Sequence, residues 1–476
     1  VAALIDYVYR AEKDMLKTIR KVKEMLEGSY ALGIICDDEK DVLYTIKNKS
    51  PLIIGINDDE NYIASDVPAI LNKTKKHIVL EDGDYAKITN DSVKLYHEGK
   101  EKDYEIKEFN FDNNAIDKQG YDHFMLKEMH EQPEVFKKTT EKYISNGMDS
   151  LIEKMPDFSK YGRIRIVACG SATHAGLVGK QMIEKYANVE VRVDTASEFR
   201  YGKQFLKDDE LVIVVSQSGE TADTLEALNI AKKNGNDTLG IVNAKGSTIA
   251  REAKMVLYTE AGQEIAVATT KAYSAQVALL SLIALNLSYK KDLTNKDEII
   301  EILKDAKKLP DYIEALLNRT DVYKKIAEDI KDQNDIFFIG RGVDYALAEE
   351  GSLKLKEISY THSEAYAAGE LKHGTISLIE DKTPVVAIIT DEKIAPKTIS
   401  NIKEVKSRGA NVICITNQNI EDNEVYDEKV VIPKVNDIFE PLLAVIPLQM
   451  IAYELAKLKG CSIDKPKNLA KSVTVE

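Results

Sequence analysis

The same order of strands and helices occurs twice after residue 163. Short apolar segments alternate with helical stretches there, and the predicted strands of the first copy are Ile164–Ala168, Val189–Val193, Leu211–Val215, Thr238–Val242 and Met255–Tyr258. The pattern recurs in Ile336–Ile339, Pro384–Thr390 and Asn411–Thr416. Strands that alternate with helices build parallel, doubly wound sheets. The sequence therefore predicts a tandem duplication of one α/β domain.

A hydroxyl-rich turn, Ser216–Thr221, follows the third strand of the first copy and precedes a helical pattern that begins near Ala222. Hydroxyls, a glycine and a helix N-terminus together favour a phosphate site. The alternative is an ordinary strand-to-helix turn in which Ser or Thr only caps the helix. The second copy carries Thr390-Asp391-Glu392 at the matching place, where two carboxylates would repel a phosphate. We therefore expect the first copy to bind the anion.

Composition excludes several classes of protein. The 476 residues carry a net charge of −14 and no long basic block, so we expect no nucleic-acid partner. The four cysteines lie far apart without a CxxC pair, which argues against a zinc site and a disulfide scaffold and favours a reducing compartment. No apolar run reaches the roughly 18 residues needed to span a membrane, and no signal-peptide pattern is present. We expect a cytoplasmic protein without metal or organic cofactor.

The chain before the duplication has a different pattern. Residues 1–105 carry closely spaced short strands such as Tyr30–Cys36, which predict an antiparallel sheet. Residues 106–160 are charged and predicted to form a helical connector. The chain opens at Val1 with a helical pattern that has no capping residue before it, so we expect a segment upstream.

Lys354 and Glu357 in the second copy lie three residues apart on a predicted helix, and so share one face. A buried carboxylate beside a cation can serve as a general base. The alternative is an ordinary surface ion pair.

Two further residues are candidates for chemistry. His373 sits in a run rich in small residues at a predicted loop, and histidine is the usual acid–base group near neutral pH; a structural histidine is the alternative. Lys471 lies in a C-terminal tail that follows Pro466 and ends in β-branched residues. A desolvated lysine there can attack a carbonyl, whereas a solvated terminal lysine would have no such role.

These segments together resemble the glutamine:fructose-6-phosphate aminotransferases, also called glucosamine-6-phosphate synthases. The resemblance covers essentially the whole chain and is carried by Ser216–Thr224, Lys354–Tyr360, Glu364–Gly374 and Leu469–Glu476. It implies two sugar-isomerase (SIS) domains, preceded by the later half of an N-terminal-nucleophile glutaminase of the α+β class. The implied domains are 1–105 (partial glutaminase), 106–160 (connector), 161–325 and 326–458 (SIS domains) and 459–476 (tail completing the sugar site).

The resemblance also implies roles for single residues. Lys471 would form a Schiff base with C2 of open-chain fructose 6-phosphate, Glu357 would move a proton between C1 and C2, and Lys354 would orient Glu357. His373 would assist ring opening from the neighbouring subunit, which implies a homodimer. The implied substrate-binding residues are Ser171, Ser216, Gln217, Ser218, Thr221, Val267 and Ala470.

The sequence departs from the family at two places. The first turn of the family reads Cys-Gly-Thr-Ser, whereas this chain has Ala172 in the last of these positions and so lacks one hydroxyl. Either Ser171 or Thr173 compensates for the loss, or the affinity for the phosphate is weaker. The cysteine nucleophile of the glutaminase and the elements around it have no counterpart in residues 1–105, so we expect this chain to keep only the sugar-site activity.

The expected function is glutamine-dependent conversion of fructose 6-phosphate to glucosamine 6-phosphate, the first step of hexosamine synthesis. One alternative is a phosphosugar isomerase that does not aminate. Another is a sugar-phosphate sensor without catalysis, in which Lys354, Glu357, His373 and Lys471 would have no reason to occur together. The substitution Lys471→Ala separates the sensor, which would keep its affinity, from the aminotransferase, which would lose product formation.

Overall fold

The computed structural model describes residues 1–50, 52–65, 69–70, 73–108, 117–418, 420 and 425–473. The chain forms two compact units, Val1–Ala115 with Ser472–Glu476 and Ile116–Lys471. Two predictions extend beyond the described residues: positions 109–116 of the predicted connector, and positions 474–476 of the predicted tail.

The first unit combines two helices with two antiparallel sheets. Its helices are α1 (Ala2–Glu12) and α2 (Met15–Met25). Its strands are β1 (Tyr30–Cys36), β2 (Glu39–Asn48), β3 (Ile53–Ile56), β4 (Tyr62–Ala64), β5 (Lys76–Val79), β6 (Tyr85–Ile88), β7 (Val93–His97), β8 (Lys100–Lys102) and β9 (Lys107–Glu108). They are ordered β1-β2-β6-β7-β8 in one sheet and β4-β3-β5-β9 in the other. The predicted antiparallel arrangement is confirmed.

One expectation for this region needs correction. Residues 107–108, which we expected to open the helical connector, form strand β9 and pair with Lys76 and His77 of β5. The charged composition of the segment favours a helix. Pairing with β5 instead gives the backbone N–H and C=O groups at that edge of the sheet their hydrogen-bond partners, and this gain is larger.

The second unit contains the duplicated α/β pattern. Its helices are α3 (Phe124–His130), α4 (Gln132–Ile144), α5 (Met148–Lys154), α6 (Ser171–Ala187), α7 (Ala196–Tyr201), α8 (Ala222–Lys233), α9 (Thr248–Glu252), α10 (Lys271–Lys290), α11 (Lys296–Leu317), α12 (Thr320–Ile330), α13 (Val343–Ser359), α14 (Ala395–Lys406) and α15 (Glu440–Leu458). Its strands are β10 (Arg163–Ala168), β11 (Glu190–Thr195), β12 (Glu210–Ser216), β13 (Thr238–Val242), β14 (Met255–Tyr258), β15 (Asp335–Gly340), β16 (His362–Ala367), β17 (Pro384–Ile389), β18 (Asn411–Thr416) and β19 (Glu428–Val431).

The two parallel sheets of this unit have the same topology. One is ordered β11-β10-β12-β13-β14 and the other β16-β15-β17-β18-β19. In each, the first strand of the copy lies between the second and the third, so the chain reverses its direction of winding there. Ligands of such sheets bind outside the carboxyl ends of the strands at this switch point. The predicted α/β class and the duplication are confirmed, and β13 and β14 have the predicted bounds.

Two long apolar helices form much of the core between these sheets. Among the described residues, α10 and α15 are long and apolar enough to cross a membrane by length and composition alone. Their most apolar 18-residue windows are 94% and 83% buried inside the protein. Helix α10 packs against α6 and α4, whereas α15 packs against α13, α12 and α11. The apolar sequence of both helices is therefore explained by burial on all sides.

Candidate functional site

The hydroxyl-rich turn Ser216–Thr221 joins β12 to α8 at the carboxyl edge of the first parallel sheet. The Ser216 hydroxyl accepts a hydrogen bond from the Gly219 N–H at 3.0 Å and lies 3.0 Å from the Thr221 hydroxyl. Ser218 Oγ accepts from the Glu220 N–H at 3.2 Å. Thr221 precedes α8 and, within the described chain, its side chain makes no capping bond to the helix. The first-turn N–H groups of α8 are thus available to an anion.

Gly219 and Gln217 fix the shape of this turn. Gly219 has φ of +66°, and a Cβ atom there would lie 2.0 Å from Ser247 Oγ, so only glycine fits. The Gln217 carbonyl accepts hydrogen bonds from the N–H groups of Asn243 at 3.2 Å and Ala244 at 3.3 Å, which ties the turn to the loop after β13. The backbone of the predicted phosphate turn is therefore held before any ligand binds.

The turn after β10 lies beside this one, because Ala168 of β10 pairs with Val215 of β12. Ser171 begins α6 there and was predicted to contact the sugar phosphate. In the structure its buried hydroxyl donates to Glu350 at 2.9 Å. The His174 ring, one turn further along α6, contacts the other oxygen of the same carboxylate through Nδ1 at 2.8 Å.

Glu350, Lys354 and Glu357 form one row on α13. Lys354 is completely buried, donates to the Glu357 carboxylate and lies 3.6 Å from Glu350. Burial lowers the pKa of the Lys354 ammonium, but the charges of Glu357 and Glu350 outweigh it, so the pKa is raised. The alternative of an ordinary surface ion pair is therefore wrong, since one partner has no solvent contact and the other is only 22% exposed.

The C-terminal tail brings Lys471 to a second buried carboxylate. Lys471 Nζ donates to Glu264 at 2.6 Å and to the Ala266 carbonyl at 2.8 Å. Glu264 is buried and also accepts from the Thr269 hydroxyl and the Thr270 N–H. Burial raises the pKa of Glu264, but the Lys471 charge and these hydrogen bonds lower it overall. Lys471 is thus an ion-paired amine rather than a freely solvated one.

Other contacts hold the tail against the loop that contains Val267. The Asp464 carboxylate accepts from the N–H groups of Phe124 at 3.0 Å and Met125 at 2.9 Å, and the Asp464 carbonyl accepts from the Val267 N–H at 3.0 Å. Because the Val267 N–H is engaged in this way, its carbonyl is the backbone group left for a sugar. Ala470 lies exposed beside Lys471.

Glu128 of α3 binds the backbone of the same loop. Its carboxylate accepts from the N–H groups of Ile265 and Ala266 and is buried. Burial, together with the nearby charge of Glu264, raises the pKa of Glu128. The pKa of Glu128 is therefore raised while that of its neighbour Glu264 is lowered.

The structure connects some of the predicted residues and leaves others apart. Glu264 contributes to the raised pKa of Lys354, so the Lys471–Glu264 pair lies within electrostatic reach of α13. His373 ends the short 3₁₀ helix Glu370–His373 and is exposed. Among the described residues, no hydrogen bond or ion pair joins its ring to either lysine–carboxylate pair.

Sequence reasoning missed the buried acids of this region. Glu350 lies four residues before Lys354, a helical spacing that could have revealed it. His174, Glu264 and Glu128 gave no signal, because their partners lie far away in the chain.

The matching position of the second sheet is filled by a carboxylate. Asp344 of α13 is buried and accepts from the N–H of Thr390 at 3.0 Å and from its hydroxyl at 2.5 Å. Burial raises the pKa of Asp344 to about 6, against these hydrogen bonds. A charged Asp344 would repel an anion bound beside it. That only the first copy binds phosphate stays a prediction.

Comparison with known proteins identifies the group to which the chain is related. The SIS domain family matches residues 157–286 and 329–459. A relative from Clostridium tetani named glutamine–fructose-6-phosphate aminotransferase [isomerizing] is 49% identical over 99% of this chain, which spans 78% of that relative's length. The chain belongs to the glutamine–fructose-6-phosphate aminotransferase family. The same name belongs to a relative from Thermococcus kodakarensis, 43% identical over 100% of this chain and 79% of its own length.

Solved structures agree with membership of this aminotransferase family. The C-terminal domain of the glucosamine-fructose-6-phosphate aminotransferase from Francisella tularensis matches with a TM-score of 0.70 and 36% identity, over 73% of this chain and all of that one. A glucosamine-6-phosphate deaminase from Thermotoga maritima matches with a TM-score of 0.59 and 24% identity, over 74% of this chain and 99% of that one, and shows the fold alone. The roles of the site residues stay predictions.

Proposed function

We propose that this chain makes glucosamine 6-phosphate from fructose 6-phosphate, with nitrogen from glutamine or ammonia. The observation that carries the proposal is the pairing of two lysines with acids, Lys354 with Glu357 and Lys471 with Glu264, in the unit that holds the hydroxyl-rich turn. Amination at a ketose carbonyl needs an amine, and isomerisation needs a base. Family membership supports the same activity.

The phosphate would bind in the turn after β12. Ser216, Ser218 and Thr221 supply hydroxyls there, Gln217 supplies backbone and amide groups, and the N-terminus of α8 favours a negative charge. Ser171 would join them by turning its hydroxyl from Glu350 to the ligand. The carbonyl of Val267 and the backbone of Ala470 would contact the sugar hydroxyls.

Lys471 would be the amine that attacks the C2 carbonyl of the open-chain sugar. Its ion pair with Glu264 holds the nitrogen in place in the free protein. For attack, the amine must lose a proton and leave this pair, and the carbonyl oxygen must leave as water when the imine forms. Ammonia then replaces the lysine at C2.

Glu357 would take a proton from C1 and return it to C2. This transfer, together with passage of the C1 hydroxyl proton to the nitrogen, converts the C2 imine into the C2 amine and leaves an aldehyde at C1. Lys354, fixed beside Glu357 by their ion pair, would orient the carboxylate. Preorganisation of this kind replaces solvent reorganisation during the reaction.

His373 would act in ring opening from a second copy of the chain, because its exposed position leaves it free to meet another subunit. A homodimer in the cytoplasm follows as part of the proposal. We also propose that residues 161–325 and 326–458 act as the two SIS domains, with 459–476 closing the sugar site and 106–160 linking it to 1–105.

The test is product formation by the chain with each nitrogen donor in turn. Glucosamine 6-phosphate made from fructose 6-phosphate and ammonium would support the proposed sugar site. Product from glutamine would show a working glutaminase as well. No glucosamine 6-phosphate from either donor would contradict the proposal, and glucose 6-phosphate in its place would favour the isomerase.

A further inference from the structure

Glu350 lies where the two parallel-sheet domains meet, and its completely buried carboxylate is hydrogen-bonded to one domain and ion-paired within the other. Helix α6 of the first domain supplies the Ser171 hydroxyl at 2.9 Å and the His174 ring at 2.8 Å. Helix α13 of the second supplies the ammonium of Lys354 at 3.6 Å. A buried carboxylate is tolerated only with such partners, because removing its charge from water is costly.

The position of Glu350 matters because Lys354 is the residue that holds Glu357. Lys354 stands between two acids on one helix face, four residues after Glu350 and three before Glu357. Because Lys354 has no solvent contact, its positive charge is stabilised chiefly by those two acids, and Glu264 of the loop that binds the tail adds to their effect. Burial works against the charged amine, and both acids together raise the pKa. Either acid therefore affects how the other is held.

We propose that Glu350 is a positioning residue for the proposed reaction: it keeps Lys354 fixed and charged beside Glu357, and is itself fixed by Ser171 and His174. The inference rests on the proposed function, because it assigns a role relative to the base of that reaction. It also gives the Ser171 hydroxyl a second role. When that hydroxyl turns to a bound sugar phosphate, Glu350 loses one hydrogen-bond donor. Its remaining partners are the His174 ring and the Lys354 ammonium.

Several groups from neighbouring elements face this acid and its lysine. They are Ser171 and His174 from α6, Tyr273 from α10, Glu357 from α13, and Glu264 from the loop that binds the tail. Burial first, and then the charge of Glu350, raises the pKa of Tyr273, so this phenol stays neutral. Loss of the Glu350 charge leaves Lys354 with its burial and fewer acids, so the pKa of Lys354 falls. Lys354 then loses its proton at lower pH.

The experiment measures kcat and KM for fructose 6-phosphate, with ammonium as donor, across pH for the full chain and for Glu350→Gln. We expect kcat to fall by about tenfold or more, as for loss of an oriented base. The KM should stay within about threefold, and the alkaline limb of the kcat profile should move to lower pH. Glu349→Gln is the matched control, because Glu349 bonds to Tyr345 instead and should leave the profile unchanged.

Glu350→Asp separates charge from position. The shorter side chain keeps the charge beside Lys354 but cannot also reach Ser171 and His174 of α6, so kcat should fall while the alkaline limb of the profile stays at its wild-type pH. If Glu350→Gln does not fold, Glu350→Asp is used for the test. Unchanged kcat and KM in Glu350→Asp would then overturn the inference.

A Glu350→Gln enzyme with the wild-type pH profile, at any kcat, would also overturn the inference, because a merely structural role does not move the limb. The proposed function fails in a different way. A wild-type chain that makes no glucosamine 6-phosphate overturns both the function and the role assigned to Glu350.

Discussion

Lys471 donates a hydrogen bond to Glu264 across 2.6 Å, and so joins the last described turn of the tail to an acid that has no solvent contact in its side chain. The partners lie 207 residues apart in the chain. A terminal lysine without such a partner would be solvated and mobile. The ion pair therefore fixes the nitrogen that we propose as the nucleophile.

Glu357→Gln should abolish proton transfer while leaving sugar binding intact. An amide cannot accept the C1 proton, so kcat should fall by about a hundredfold to ten-thousandfold. Deuterium uptake at C1 of fructose 6-phosphate from heavy water, followed by NMR, measures the step directly. Lys356→Gln is the control, since this neighbour on α13 is exposed. Normal exchange in the Glu357 variant would show that another group is the base.

Ser216→Ala should weaken binding of the phosphate. A hydrogen bond to a charged group contributes about 1.5–3 kcal/mol, so the KM for fructose 6-phosphate should rise by about tenfold or more. Inhibition by inorganic phosphate should weaken in parallel, because the same turn would bind it. Ser407→Ala, at an exposed serine of the other parallel-sheet domain, should change neither constant. An unchanged KM in the Ser216 variant would place the phosphate elsewhere.

Ala172→Ser restores the hydroxyl that the family carries in the first turn. Ala172 is half-buried at the start of α6, next to Ser171, whose own hydroxyl is bonded to Glu350. A new hydroxyl there should lower the KM for fructose 6-phosphate by about threefold to tenfold, the effect of one added hydrogen bond. Steady-state kinetics at saturating ammonium measures the change. A raised KM would mean that the turn has no room for the group.

Glu440→Gln should make stability less dependent on pH. Burial, with the charge of Asp437, raises the pKa of Glu440 from 4.5 to about 8. Between these values the folded protein binds a proton that the unfolded chain releases, so stability falls as pH rises, by at most about 1.4 kcal/mol per pH unit.

Thermal unfolding at pH 5.5 and pH 8.5 measures this effect. The difference in Tm between the two conditions should be smaller for Glu440→Gln than for the wild type. Glu380→Gln, at an exposed acid, is the control and should leave the difference unchanged. A Glu440 variant with the wild-type difference would show that this acid is not protonated in the folded state.

Local pattern was enough to predict most of the fold. Alternating strands and helices predicted both parallel sheets, and helix α8 begins at Ala222 as expected. Helical spacing also placed Lys354 and Glu357 on one face. These features depend on neighbours within a few residues, which a sequence displays directly.

The sequence patterns did not predict the contacts between residues that lie far apart in the chain. Nothing near Glu264 or Glu128 indicates that either would meet the tail or its loop, and no pattern reveals that Lys354 is completely buried. The direction of the Ser171 hydroxyl was also missed, because its partner Glu350 comes from the other copy of the duplicated unit. Burial and pairing decide the chemistry of these acids, and both depend on the assembled fold.

The most direct test is chemical trapping of the sugar on the chain. Borohydride reduction during incubation with fructose 6-phosphate, without ammonia, followed by peptide mass mapping, locates any imine. The account predicts one stable adduct on Lys471, absent in Lys471→Ala and kept in Lys465→Ala, whose side chain is exposed on the same tail. An adduct on another lysine, or none from a chain that makes glucosamine 6-phosphate, would contradict it.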